Sequence, residues 1–183
     1  MLIELSKLEG MSVGALEEGA LAGRVWKALV APDELKVAGL AVQTGRLPVL
    51  SWLWPKILVA AFVDVVDIDK NGIAVKSRES LSEPGEIVRL KEILKYKFSL
   101  LGLPAVSKSG ERLGRVTDAL VESDSGKLMR LYVRRLLDSR VFERSQIVKM
   151  DYRKVVLEVE GGKKVKARKE AALSAKAVDV PSP

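Results

Sequence analysis

The apolar positions of this chain recur in short alternating runs and not in long helical stripes. Gly23–Val30 and Gly114–Val121 alternate loosely and are rich in Val and Leu. Each runs into a turn: Ala31-Pro32-Asp33-Glu34 in the first case, Ser123-Asp124-Ser125-Gly126 in the second. Val37–Val42 and Leu128–Val133 read as the returning partner strands. Asp69-Lys70-Asn71-Gly72 precedes Ile73-Ala74-Val75, and the Asn-Gly step predicts a two-residue type I′ hairpin turn. Short strands with turn signals every ~8–12 residues predict small antiparallel barrels. Behind the turn Ser82-Glu83-Pro84-Gly85, Ile87, Leu90 and Leu94 stand at helical spacing with Ile93 beside them. A short connector helix is expected there.

The pattern occurs twice. An offset of 91 lays Gly14–Val42 on Ala105–Val133 without a gap, and Gly23-Arg24-Val25 falls on Gly114-Arg115-Val116. An offset of 82 lays Val65, Ile68, Asp69, Ile73 and Val75 on Ile147, Met150, Asp151, Val155 and Leu157. The first copy is therefore nine residues longer, and the excess lies between Val42 and Val65. A unit of this size present twice implies duplication. The expected organisation is a first barrel over 1–80, a linker with a short helix over 81–96, a second barrel over 97–160 and a basic tail, partly disordered, over 161–183.

The second copy carries a recognisable opening. Val106-Ser107-Lys108-Ser109-Gly110-Glu111-Arg112-Leu113-Gly114-Arg115-Val116-Thr117-Asp118 is followed by Leu120–Leu128, with Asp124 and Gly126 in its turn. This resembles the PRC-barrel domain family: a Gly, a Leu-Gly-x-Val-x-Asp step, a turn with Asp and Gly, then an apolar strand. The first copy keeps Gly23-Arg24-Val25, but has Lys27 where the Asp would stand. That family includes the cytoplasmic barrel of the photosynthetic reaction centre H subunit and the C-terminal domain of the ribosome maturation factor. The resemblance implies two small, mostly antiparallel barrels that contact proteins or ribonucleoprotein. It carries over no catalytic residue.

Composition narrows the chemistry. The 183 residues include no Cys and no His. Disulfides, thiolate nucleophiles, zinc fingers and imidazole bases are thereby excluded. No base–nucleophile pair, metal set or phosphate loop is legible, so no enzyme activity, cofactor or metal is expected. The first residues, Met1–Lys7, carry an acid where a secretion signal needs a basic region and then an apolar run. A cytoplasmic location is expected. Leu47–Val63 is apolar but is broken by Pro48, Pro55 and Lys56, and is too short for a spanning helix.

The net charge of +7 is uneven. Residues 1–96 sum to −1, 97–160 to +4 and 161–183 to +4. Such asymmetry suggests a localised contact. Three candidate sites follow. The insert within the first copy, 44–55, holds Leu47, Val49, Leu50, Trp52, Leu53 and Trp54. An apolar loop of this kind covers its own barrel, meets a protein partner or lies on a membrane surface. The second copy gathers Arg130, Arg134, Arg135, Arg140 and Arg144, and the tail adds Lys163, Lys164, Lys166, Arg168 and Lys169. Arginines engage phosphates, so RNA or ribosome contact is the reading for these groups. Asp67-x-Asp69-x-Asn71-Gly72 opens like a calcium loop, but Arg78 stands where the twelfth-position Glu belongs and the duplicate lacks the ligands. It is read as a turn. The leading expectation is a non-catalytic adaptor that contacts protein partners. The alternatives are an RNA- or ribosome-associated assembly factor and a peripheral membrane scaffold.

Overall fold

Each long strand pair of the pattern folds as a twisted antiparallel hairpin, and the rest of each copy wraps around it. The computed structural model describes residues 1–44, 56–136 and 138–159. In chain order the elements are β1 (Leu2–Glu4), the short helix α1 (Leu5–Leu8), β2 (Ser12–Ala15), β3 (Ala20–Ala31), β4 (Lys36–Thr44), β5 (Lys56–Ala61), β6 (Val65–Ile68), β7 (Ile73–Val75), β8 (Leu81–Ser82), the helix α2 (Val88–Lys95), β9 (Pro104–Ser107), β10 (Arg112–Glu122), β11 (Leu128–Arg135), β12 (Asp138–Glu143), β13 (Ile147–Met150) and β14 (Val155–Leu157). The fold is mostly β, in two curled seven-stranded sheets. The first has the order β6-β7-β2-β3-β4-β5-β8. The second has the order β12-β11-β10-β9-β14-β13, with β1 added on β10.

The repeat offsets place the elements as well as the residues. β5, β6 and β7 match β12, β13 and β14 at 82, and β3 and β4 match β10 and β11 at 91. The loose alternation of the long strands has a physical cause. The register slips between Val25 and Lys27 in β3, and between Val116 and Asp118 in β10. An extra residue at Trp26, and at Thr117 in the duplicate, bends the strand and shifts the inward face by one. Val116, Ala119 and Val121 can then all be buried although their spacing is three and then two. The glycine of the Gly-Arg-Val step also has a cause. A Cβ on Gly114 would stand 2.3 Å from the Arg134 carbonyl oxygen, and one on Gly23 would stand 2.6 Å from that of Gln43.

Two expectations are corrected. The sheets are not purely antiparallel, because β2 runs parallel to β7 and β9 parallel to β14. The chain leaves β2, builds the intervening strands, and returns on the other edge of β2 in the same direction; this curls the sheet. The Asn71-Gly72 step does not form a type I′ turn, because neither Asn71 nor Gly72 has positive φ, which that turn requires at both central residues. Asp69 closes it instead. Its carboxylate accepts the backbone N–H groups of Asn71 at 2.7 Å and Gly72 at 3.0 Å. Asp151 does the same in the duplicate, accepting from Arg153 at 2.8 Å and Lys154 at 2.9 Å. The shared aspartate is a turn lock.

Those hydrogen bonds hold both carboxyls below the usual carboxylate range. Their contribution to stability is full above the pKa of an unfolded aspartate, ~4, and is lost as pH falls through the lower folded value. Asp69→Asn with Asp151→Asn is therefore expected to lower Tm at pH 7 and to make its fall between pH 5 and pH 2 shallower (roughly the range of such titrations). Thermal scans by circular dichroism across that range read the difference. An unchanged acid slope would refute the assignment.

The two sheets meet through equivalent surfaces. Val37 N–H donates to Gly126 O at 2.8 Å, and Leu128 N–H donates to Leu35 O at 2.9 Å. At the offset of 91, Val37 matches Leu128 and Leu35 matches Gly126. The two bonds are thus one bond seen from either copy, and Lys36 and Lys127 face each other between them. This is the geometry of an isologous dimer interface, built within one chain. Its two poles differ. Phe62 lies over Gly126, where an added Cβ would come within 3.0 Å of the ring. Arg144, its counterpart at 82, lies over Leu35 and donates to Leu35 O at 2.7 Å, Leu128 O at 3.1 Å and Glu34 O at 3.1 Å.

The segments before each copy cross over. β1 pairs with β10, from Leu2 opposite Glu122 to Glu4 opposite Leu120. The Ser6 hydroxyl and N–H both donate to the Asp118 carboxylate, at 2.6 and 3.1 Å. The connector helix lies on the first sheet, where Leu90 fills the space that a Cβ on Gly39 would need. Its Arg89 pairs with Glu34. Buried residues of both sheets form one continuous apolar cluster. Among the described residues, no helix is long and apolar enough to cross a membrane; Lys56–Ala61 of the apolar stretch is strand β5.

Candidate anion-binding surface on the second sheet

The second sheet collects arginines at the end where β10 begins and β11 finishes. Arg115 on β10 and Arg134 on β11 are direct cross-strand partners. Arg112 and Arg135 lie at the same strand ends, Arg135 on the opposite face of β11 from Arg134, and all four residues are exposed. Like charges directly opposite each other destabilise a strand pair. Two carboxylates stand near this end: Asp138 is the residue directly opposite Arg135 on β12, and Glu111 precedes Arg112. The Arg134 side chain makes no hydrogen bond or ion pair among the described residues. Arg115 donates to the Gly102 carbonyl at 2.7 Å, and Arg135 to the Arg112 carbonyl at 2.9 Å. The nearest carboxylate contact is Glu111, 3.9 Å from Arg135. The carbonyl bonds hold the Arg115 and Arg135 guanidinium groups in place without cancelling their charge.

The duplicate is an internal control. At the positions of Arg112, Arg134 and Arg135, the first copy has Leu21, Gln43 and Thr44; Arg24 alone keeps the charge, at the position of Arg115. The same strand frame forms there. The fold therefore does not need the three added arginines.

No family model matches this chain, and no curated protein matches it. What the site does must come from its own residues.

The arginines singled out in the sequence have different fates. Arg134 and Arg135 lie in the cluster. Arg130 sits farther along β11, paired with Glu143 at 2.8 Å. Arg140 is partly buried and bound to Asp138 at 3.0 Å. Arg144 is half-buried in the clamp between the sheets and is not part of the exposed surface. Sequence reasoning does not single out Arg112 and Arg115. The register that sets Arg115 opposite Arg134 depends on the bulge after Val116, but the exchange of Leu21 for Arg112 between copies is a usable signal. The apolar candidates Leu47, Val49, Leu50, Trp52, Leu53 and Trp54 lie outside the described residues, as do Lys163, Lys164, Lys166, Arg168 and Lys169.

The calcium-loop candidate is accounted for by the turn. Asp69 gives Oδ1 to the two backbone N–H groups and Oδ2 to the Asn71 side chain at 2.8 Å. Among the described residues, no three acidic groups come together as a metal site.

Proposed function

We propose that this chain is a non-catalytic, cytoplasmic binding protein built from two PRC-type barrels, and that the arginine end of its second sheet docks on the phosphate backbone of RNA, free or in a ribonucleoprotein. The observation that carries this reading is the direct pairing of Arg115 with Arg134, flanked by Arg112 and Arg135, at positions the duplicate fills with mostly neutral residues. Guanidinium groups bind phosphate oxygens bidentately, and a cluster of them gains affinity by releasing counterions. The offset-matched strand order of the two sheets is in keeping with the PRC-barrel resemblance. The readings as a protein adaptor and a membrane scaffold stand on residues 47–54, outside the described residues, so nothing in the geometry favours them.

The test uses the duplicate's own side chains, which the frame tolerates. Arg112→Leu, Arg134→Gln and Arg135→Thr together should reduce the slope of log K against log salt on an RNA probe by roughly two to three, about 0.7–0.9 for each phosphate no longer neutralised. Affinity at low salt should fall at least tenfold. Fluorescence anisotropy over a salt series reads both. An unchanged slope, or no RNA binding by the parent chain at low salt, would refute the assignment.

A further inference from the structure

We infer that residues 163–167 form the outer strand that the second sheet lacks, pairing antiparallel with β12. This holds whether or not the chain binds RNA. In the first sheet β8 covers β5, with Leu81 opposite Ala60 and Ser82 opposite Val59. β5 and β12 are equivalent at the offset of 82, yet among the described residues β12 pairs with β11 alone. An open edge of this kind is a template for a further strand. The duplicate indicates which segment fits. The same offset carries Leu81 and Ser82 onto Lys163 and Lys164, so Lys163 falls opposite Phe142 and Lys164 opposite Val141. The chain has the length to reach. In the first copy a short turn, Arg78–Ser80, leads from β7 to β8; the matching residues after β14 are Glu160-Gly161-Gly162. Continuing the register sets Val165 opposite Arg140, Lys166 opposite Ser139 and Ala167 opposite Asp138. Pro84 has no N–H to give and closes β8 early; its counterpart is Lys166, so the pairing can run on. Lys164-Val165-Lys166-Ala167-Arg168 alternates polar and apolar, the pattern of a half-buried strand. Val165 and Ala167 fall on the face of the buried Phe142, and Lys164 and Lys166 on the other. Lys163 stands where β8 has Leu81, at the strand end, where its long stem reaches water. The segment is also tethered to β14 by a few residues, which gives it an effective concentration on the order of mM that a free strand would have to match. The pairing extends the basic face as well. Arg115 is opposite Arg134 and Arg134 opposite Ser139, so Lys166 would continue that cross-strand row.

The chain has no Cys, so an introduced pair is the only one that can close within it. Three full-length variants are compared. Val141→Cys with Lys164→Cys and Ser139→Cys with Lys166→Cys place thiols directly opposite each other. Val141→Cys with Val165→Cys is shifted by one residue and puts them on opposite faces. Opposite residues of an antiparallel pair have Cα atoms about 4.5–5.5 Å apart, within disulfide reach. The expected result is closure within one chain at least tenfold faster for the two opposite pairs than for the shifted pair, read by mass spectrometry after timed exposure to oxidised glutathione. Amide hydrogen exchange gives a readout without cysteines. Val165→Pro with Lys166→Pro removes the inward N–H whichever residue supplies it, and should speed exchange of β12 at least tenfold while leaving β5 unchanged. Equal closure rates for the three pairs, or β12 exchange unchanged by the prolines, would overturn the inference. Disulfides formed between chains would overturn it in favour of a second copy on the β12 edge.

Discussion

Replacing Gly114 with Ala is expected to disrupt the second sheet more than any other single-methyl change in the chain. The added Cβ would lie 2.3 Å from the Arg134 carbonyl oxygen and 2.7 Å from its carbon. These are backbone atoms held in the ladder, so neither can rotate away. Gly114 also has a φ of 139°, which an L side chain rarely adopts. Backbone strain of ~1–3 kcal/mol adds to the overpacking cost of ~1–3 kcal/mol, for a total of about 4 kcal/mol. That is a large fraction of the stability of a typical small domain. Urea denaturation of the two proteins reads the effect. A loss under about 1 kcal/mol would mean that β10 and β11 are not this close in solution. Because Arg134 and Arg135 sit at the same contact, any folded Gly114→Ala protein should also bind RNA more weakly.

The second large effect concerns the clamp between the copies. Arg144→Phe removes three charge-assisted donations to backbone carbonyls and brings a ring against the Leu35 side chain. Lost hydrogen bonds to a charged group predict about 2–3 kcal/mol of destabilisation. The other pole shows how to restore it, because there Phe62 lies over a glycine, Gly126. Leu35 has a positive φ of 52°, an unfavourable conformation for a leucine. Leu35→Gly should relieve that strain and make room for the ring. The pair Arg144→Phe with Leu35→Gly should therefore recover at least half of the loss of Arg144→Phe, while Leu35→Gly alone should be close to neutral. A double-mutant cycle in urea measures the coupling, and additive effects would refute the proposed equivalence of the poles.

Much of the frame is legible in the sequence because duplication shows itself twice. Strands β3, β4, β10 and β11 fall where the alternating runs place them, extended by a few residues at their ends. The connector helix forms over Val88–Lys95, burying Leu90 and Ile93. The Asn-Gly step predicts a type I′ turn at Asp69, and the departure from it has a clear cause. The aspartate's carboxylate takes up the turn N–H groups, so the backbone has no need of positive φ. The parallel pairs β2–β7 and β9–β14 leave no mark in the alternation, because a strand's side-chain period is the same whichever way its neighbour runs.

The arginines show the limit most plainly. In sequence, Arg130, Arg134, Arg135, Arg140 and Arg144 form one basic group. In the fold, Glu143 and Asp138 engage two of them, the clamp takes Arg144, and β10 supplies Arg112 and Arg115 to the other two. Spacing along a strand says which face a side chain takes. It does not say which carboxylate or carbonyl lies across the ladder, because that depends on register, and register here turns on two irregularities, at Val116/Asp118 and at Leu120/Val121.

The sequence by itself determined the duplicated frame of strands and turns, through apolar periodicity and turn residues, both of which act over a few neighbours. Only the tertiary structure decided how the copies face each other and which arginines face outward. Those outcomes rest on hydrogen bonds between residues about ninety positions or more apart, such as Val37 with Gly126 and Arg144 with Leu35. Local pattern exerts no force over that separation, so the packed fold had to fix them.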